Sequence, residues 1–159
     1  MDAWELTARE RIRDTLAQYT WSGDAFRLED LAAAFFEDGV LEIKTRGRFE
    51  GRAAIVDLLG GGSSSGDDEA RRAERRSGST GAVTIVRHNV TNIRFVELTP
   101  AAARVESYFT VFTDIGLDHH GRYRDQFEPD GDRWLIRHRF VSTDWRNPDS
   151  TMAAPSTTG

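Results

Sequence analysis

A chain of 159 residues with 38% apolar and 30% charged side chains, 9 Phe and 4 Trp has the composition of one globular domain, long enough to bury a core. A net charge of −5 offers no general positive surface for nucleic acid, and the absence of cysteine removes disulfides, thiolate catalysis, zinc fingers and iron–sulfur clusters. No apolar run approaches the roughly 20 residues of a membrane span, and the opening Met1-Asp2-Ala3-Trp4-Glu5 lacks a secretory signal, so a cytoplasmic protein without a membrane partner is expected.

Trp4, Ala8, Ile12, Leu16 and Tyr19 recur at helical spacing and predict a helix from Ala3 to Ser22. Ser22-Gly23-Asp24 breaks it. Leu28, Leu31, Ala32 and Phe35 predict a second helix from Leu28 to Phe36. Asp38-Gly39 is a turn signal, Val40 to Lys44 a short strand closed by Arg48-Phe49-Glu50-Gly51, and Gly51 to Leu59 a third helix. The Gly/Ser and Arg-rich stretch 60–81 reads as a flexible insertion loop, since a structureless connection of that length is unusual inside a compact domain. Val83–Leu98, Ala101–Thr113, His120–Glu128 and Arg133–Thr143 favour strands, punctuated by Thr99-Pro100, Gly116 and Asp130-Gly131. Residues 1–146 thus form one domain, and Asn147 to Gly159 has the composition of a disordered tail. Helices followed by an antiparallel meander give an α+β fold: a cone-shaped barrel of helices on a curved sheet, enclosing a cavity for a small molecule.

Polar groups where burial is expected are the informative ones. Tyr19 ends the apolar stripe of the first helix, and Asp24 lies between the first two helices. On strand alternation His88 shares a face with Val86, Val90 and Asn92. Val105, Ser107, Phe109, Val111 and Thr113 form one face, and Tyr123, Asp125 and Phe127 another. Asp125 is placed to bind substrate or to pair with an arginine. His138 shares a face with Trp134, Ile136 and Phe140 and reads as a core or interface histidine. Asp118-His119-His120 does not suggest a metal site, because adjacent strand residues point opposite ways and no ligand spacing recurs elsewhere. The glycines form no phosphate cradle, so neither metal nor other cofactor is expected.

The stretches Ile12–Tyr19, Asp24 before Leu28–Phe36, Asp38–Leu41, Phe49–Ile55, Arg87–Asn92, Ala103–Phe109, Gly121–Asp125 and Asp130–Ile136, in that order and spacing, carry a family signature. The chain resembles the SnoaL-like, scytalone-dehydratase-like branch of the nuclear-transport-factor-2-like superfamily, and is similar to the bile-acid 7-alpha-dehydratases. The resemblance implies a catalytic Asp–His pair at Asp24 and His88, with Tyr19 bonding the substrate. Where scytalone dehydratase carries a second histidine on the next strand, this chain offers Thr113. Asp114 lies one position from the Asp of the bile-acid enzymes, and Tyr123 or Asp125 lies nearest the Asn of the following strand.

These residues suit proton-transfer lyase chemistry on a hydrophobic cyclic or polyketide-like hydroxy-carbonyl compound. His88 would serve as base and then acid, Asp24 would fix its tautomer, and Tyr19 would donate to the enolate oxygen. Phe35, Val90, Asn92, Phe109, Val111, Thr113, Tyr123, Asp125 and Phe127 are the expected substrate-lining positions. An isomerase or polyketide cyclase, or a non-catalytic ligand-binding module, are the alternative uses of such a cavity. A homodimer or homotrimer is expected, from the outward residues Glu106, Tyr108 and Phe112.

Overall fold

The structure, a computed structural model, describes residues 1–60 and 85–152. Its elements are α1 (Ala3–Asp24), α2 (Leu28–Ala32), β1 (Phe35–Ile43), β2 (Gly47–Glu50), α3 (Arg52–Gly60), β3 (Val86–Leu98), β4 (Ala103–Thr113), β5 (Gly116–Asp130) and β6 (Arg133–Arg146). The strands form one six-stranded sheet in the order β2-β1-β6-β5-β4-β3. Every pairing is antiparallel except β1 with β6. The sheet stays open, with β2 and β3 as edges, rather than closing into a barrel. The insertion expected at 60–81 lies, beyond Gly60, outside the described residues, as do positions 153–159 of the expected tail.

α1 starts where the Glu5 carboxylate accepts the Asp2 amide at 2.9 Å. Its buried face carries Ala8, Ile12, Leu16 and Tyr19 as the spacing predicts, whereas Trp4 remains 40% exposed. Thr15 anchors this face to the sheet: its hydroxyl donates to the Trp134 carbonyl at 2.6 Å. The second helix is shorter than predicted. α2 stops at Ala32, and Phe35 pairs with Ile136 as the first residue of β1. Two successive aromatics suit a strand better than a helix, and Gly39 permits the turn of chain that follows. A Cβ there would sit 2.9 Å from the Phe35 Cβ and 3.0 Å from the Ile136 carbonyl oxygen.

Of the sheet's six register shifts among the described residues, three bear on the expected site residues. In β3, Thr91 pairs with Tyr108 but Arg94 with Glu106, which inserts one extra residue. Asn92 takes a left-handed φ of 53° there and is exposed, while Ile93 and Phe95 pack against the core. The expected place for Asn92 beside His88 on the cavity face is therefore corrected. In β6, Gln126 pairs with His138 but Phe127 with Ile136, so Arg137 is the extra residue. Beyond it the phase reverses: Arg139 turns inward and His138 lies off the core, bonded through Nε2 to Glu42 at 2.9 Å. In β5, Val111 pairs with His119 but Phe112 with Leu117, which makes Asp118 the extra residue.

Residues 147–152, expected within the disordered tail, are tied to the sheet. The Asn147 amide donates to the Asp118 carbonyl at 2.6 Å, and Arg146 Nη2 to the Ser150 carbonyl at 2.6 Å. No helix among the described residues is long and apolar enough to cross a membrane.

Candidate active site

After Asp24 the chain reverses sharply. The Arg27 amide donates to the Ser22 carbonyl at 2.8 Å, and Phe26 is held at a φ of 55°. This reversal sets the Asp24 carboxylate against the start of β3. Oδ2 accepts the His88 backbone amide at 3.0 Å, and Oδ1 lies 2.6 Å from His88 Nδ1. An ionised carboxylate can only accept, so Nδ1 carries the hydrogen and Nε2 is left as an acceptor.

His88 lines a cavity of two adjoining chambers that share Tyr19, Arg46, Leu59 and Met152. The outer chamber, about 410 Å³, is walled by Phe26, Leu28, Leu31, Leu58 and Val86. The inner one, about 180 Å³, lies against Leu41, Phe109, His119 and Tyr123. The walls mix apolar side chains with convergent polar groups, and polar surface makes up the slightly larger share.

Beside the inner chamber lies a buried ion pair. Arg139 Nε donates to Asp125 Oδ1 at 2.8 Å and Nη2 to Oδ2 at 2.7 Å, with both side chains fully buried. The guanidinium lies in the angle between the Tyr19 and Tyr123 rings, which meet at 78°, and is 4.2 and 4.1 Å from their centroids. Burial pushes both tyrosine hydroxyls up from their ordinary values, with Arg139 opposing the shift, so both stay protonated and able to donate. Burial works against the Arg139 charge, but Asp125 more than offsets it and holds the guanidinium protonated.

The bulge at Asp118 builds a second dyad. His119 Nδ1 lies 2.6 Å from Asp118 Oδ1. The same carboxylate accepts from Ser150 Oγ at 2.6 Å and from Thr113 Oγ1 at 3.1 Å. These bonds outweigh the cost of burial and hold Asp118 below the usual carboxylate value. Burial lowers His119 from its ordinary value; Asp118 opposes that, while His88 and Arg146 add to it. His120 points the other way and stacks on Trp145, with ring centroids 5.7 Å apart.

The structure thus brings Tyr19, His88, Phe109 and Tyr123 to the cavity wall and Asp24 behind His88. Phe35, Val111 and Phe127 are fully buried core residues outside the cavity lining, and Val90 packs against the same core. Thr113 supports Asp118, Asn92 is exposed, and Asp125 is consumed by Arg139. Sequence reasoning missed Arg139 and the Asp118–His119 pair. An inward Asp125 did signal a buried cation, but alternation past an unseen bulge directed attention to His138 rather than Arg139.

Among solved structures, the chain resembles a candidate scytalone dehydratase from Novosphingobium aromaticivorans. The two are 19% identical, with a TM-score of 0.69 over 90% of this chain and 88% of that one. It also resembles ActVI-ORFA from Streptomyces coelicolor, at 17% identity and a TM-score of 0.67 over 86% and 96%. LinA gives 16% identity and a TM-score of 0.68 over 95% and 97%. These likenesses concern the fold. No functionally curated protein matches the sequence. The SnoaL-like domain family matches residues 4–140, nearly the whole described fold from α1 into β6. The chain therefore belongs to the SnoaL-like family, whose scytalone-dehydratase-like fold serves dehydratases, isomerases and cyclases.

Proposed function

We propose that this protein is a small-molecule lyase that removes water from a hydrophobic, cyclic hydroxy-carbonyl substrate. The observation that carries the reading is the 2.6 Å contact between Asp24 and His88 Nδ1, which leaves the opposite ring nitrogen bare on the wall of a cavity of mixed polarity. His88 Nε2 takes the proton from the carbon next to the carbonyl. The electrons of that C–H bond form the enolate, and Asp24 stabilises the imidazolium. Tyr19, kept protonated by burial, donates to the enolate oxygen. Collapse of the enolate breaks the β C–O bond. The departing hydroxyl leaves with the proton held on His88, so the products are water and the unsaturated carbonyl compound. Leu31, Leu41, Leu58 and Phe109 in the walls would displace water from a bound apolar ring, which strengthens each of these interactions.

Isomerisation and ring closure call on the same groups without loss of water, and a binding module calls on the cavity alone. One assay separates them. 3-Hydroxy-1-tetralone is incubated with the protein in D2O and followed by absorbance and proton NMR. Dehydration yields 1-naphthol after tautomerisation. Replacing either member of the dyad (Asp24→Asn or His88→Asn) is expected to lower the rate roughly 10²–10⁴-fold. Deuterium exchange next to the carbonyl without naphthol would favour the isomerase or cyclase reading. Binding with neither exchange nor elimination would favour the non-catalytic one.

A further inference from the structure

The inner chamber contains more acid–base machinery than a single dyad requires. His88 pairs with Val111 across β3 and β4, and Val111 pairs with His119 across β4 and β5. The two histidines therefore stand in one row across three strands, two strand spacings apart, about 9.5 Å between Cα atoms. Fully buried Val111 separates them, and both rings line the inner chamber. Each ring is turned the same way, with Nδ1 on its own carboxylate at 2.6 Å.

The second dyad is the more heavily built of the two. Asp118 is 1% exposed and is held by hydroxyls from β4 and from the segment after β6. That segment is itself fixed by Arg146 and by the Asn147 amide. The bulge commits a whole residue of β5 to placing Asp118 beside its neighbour's ring. Phe109 meets His119 edge-on at 5.9 Å and limits its rotation. With Nδ1 committed to the carboxylate, the ring presents Nε2 as a fixed lone pair.

We propose that the Asp118–His119 dyad is a second substrate-binding site within the same cavity, accepting a hydrogen bond from a second hydroxyl, phenolic or enolic, on the molecule whose carbonyl end lies at His88. The substrate class is then a cyclic hydroxy-carbonyl compound with at least one further hydroxyl on the opposite side of its ring system. Burial keeps His119 neutral near pH 7, which suits acceptance from such a hydroxyl. The inference rests on the lyase reading only for the orientation of the substrate; the second site stands on its own geometry.

The test is binding, so that its failure is distinct from a failure of catalysis. Affinities of 1-naphthol and of 1,3-, 1,5-, 1,6- and 1,7-dihydroxynaphthalene are measured by calorimetry at pH 7.5. In the wild type the second hydroxyl of at least one diol is expected to tighten binding about 2–12-fold over 1-naphthol, the scale of one net hydrogen bond. His119→Leu should abolish that gain while leaving 1-naphthol affinity within about twofold, and His88→Leu should leave the gain in place. Should His119→Leu misfold, His119→Phe keeps an aromatic ring without an acceptor and carries the same expectation. If no diol gains in the wild type, or if the gain survives loss of the imidazole, the proposal is overturned, whatever the tetralone assay gives.

Discussion

Replacing Asp125 by asparagine tests the buried pair most directly. Both side chains are fully buried, and the contact is bidentate. The Asp125→Asn amide would keep the shape and one acceptor but leave the Arg139 cation uncompensated beneath two tyrosine rings. Breaking one partner of such a pair costs about 3–5 kcal/mol. For a domain of this size each kcal/mol moves Tm by about 2–4 °C, so a fall of about 6–20 °C is expected. The double variant Asp125→Leu with Arg139→Met removes both charges and should regain most of that loss, since a buried pair exchanged for apolar groups is often neutral or better by about 1–4 kcal/mol. Part of the regain is forfeited with the contacts of Arg139 to Tyr19 and Tyr123, worth up to about 2 kcal/mol each when desolvated. Urea titration with matched m-values is the assay. A single variant that loses less than about 1 kcal/mol, or a double variant less stable than the single, would refute the account of an uncompensated buried cation.

The lowered His119 makes stability depend on pH. Below about 6.5 the unfolded chain binds a proton at this position that the native state resists, so the dyad's contribution is intact above that pH and erodes as pH falls from it toward the depressed folded value. His119→Gln should therefore flatten the fall in urea midpoint between pH 6.5 and 5, and an unchanged slope would sink this reading. Gly121→Ala would place a Cβ 2.0 Å from the Ser142 carbonyl oxygen and 2.8 Å from Thr143 Cα. Because that contact is with backbone, a loss of at least about 1–3 kcal/mol is expected in thermal melts; an unperturbed Tm would contradict it. The outer sheet face exposes Tyr108, Phe112 and Trp145 by 53%, 43% and 42%. Sedimentation should find an oligomer that Phe112→Arg dissociates, and a wild-type monomer at high micromolar concentration would end that expectation.

What was legible in the sequence follows from two periodicities. The alternation of β4 was readable residue by residue, and the helical stripe of α1 from Ala8 to Tyr19, though not at Trp4. Tyr19 and His88 stood out on regular stretches and Asp24 next to one, but it was the family resemblance that joined the three as one expected site. Failure begins at the bulges. Each one shifts the two-residue period by one, so Asn92, His138 and Arg139 exchange their expected sides while the local composition stays the same. The rule that neighbouring strand residues point apart holds for His119 and His120 and fails for Asp118 and His119, since one of that pair is the inserted residue. Phe35 and Phe36 fit a helical stripe as well as a strand. Pairing with Ile136, far along the chain, decided between them.

That same pairing has a consequence for how the chain is made. β1 has β2 on one side, but its other edge is filled by β6, the last of the sheet's described strands in chain order. Until then Phe35 has no Ile136, the parallel edge of the β1–β2 hairpin is open, and Thr15 lacks the Trp134 carbonyl it grips. β3, β4 and β5 can zip together through adjacent antiparallel turns as they emerge, whereas the N-terminal half must wait for all three and for β6 before its seam closes. A nascent chain stalled before Arg133 therefore offers an unpaired, aromatic-bearing strand to any neighbour, and holding that strand apart is the task this topology hands to the cell's chaperones.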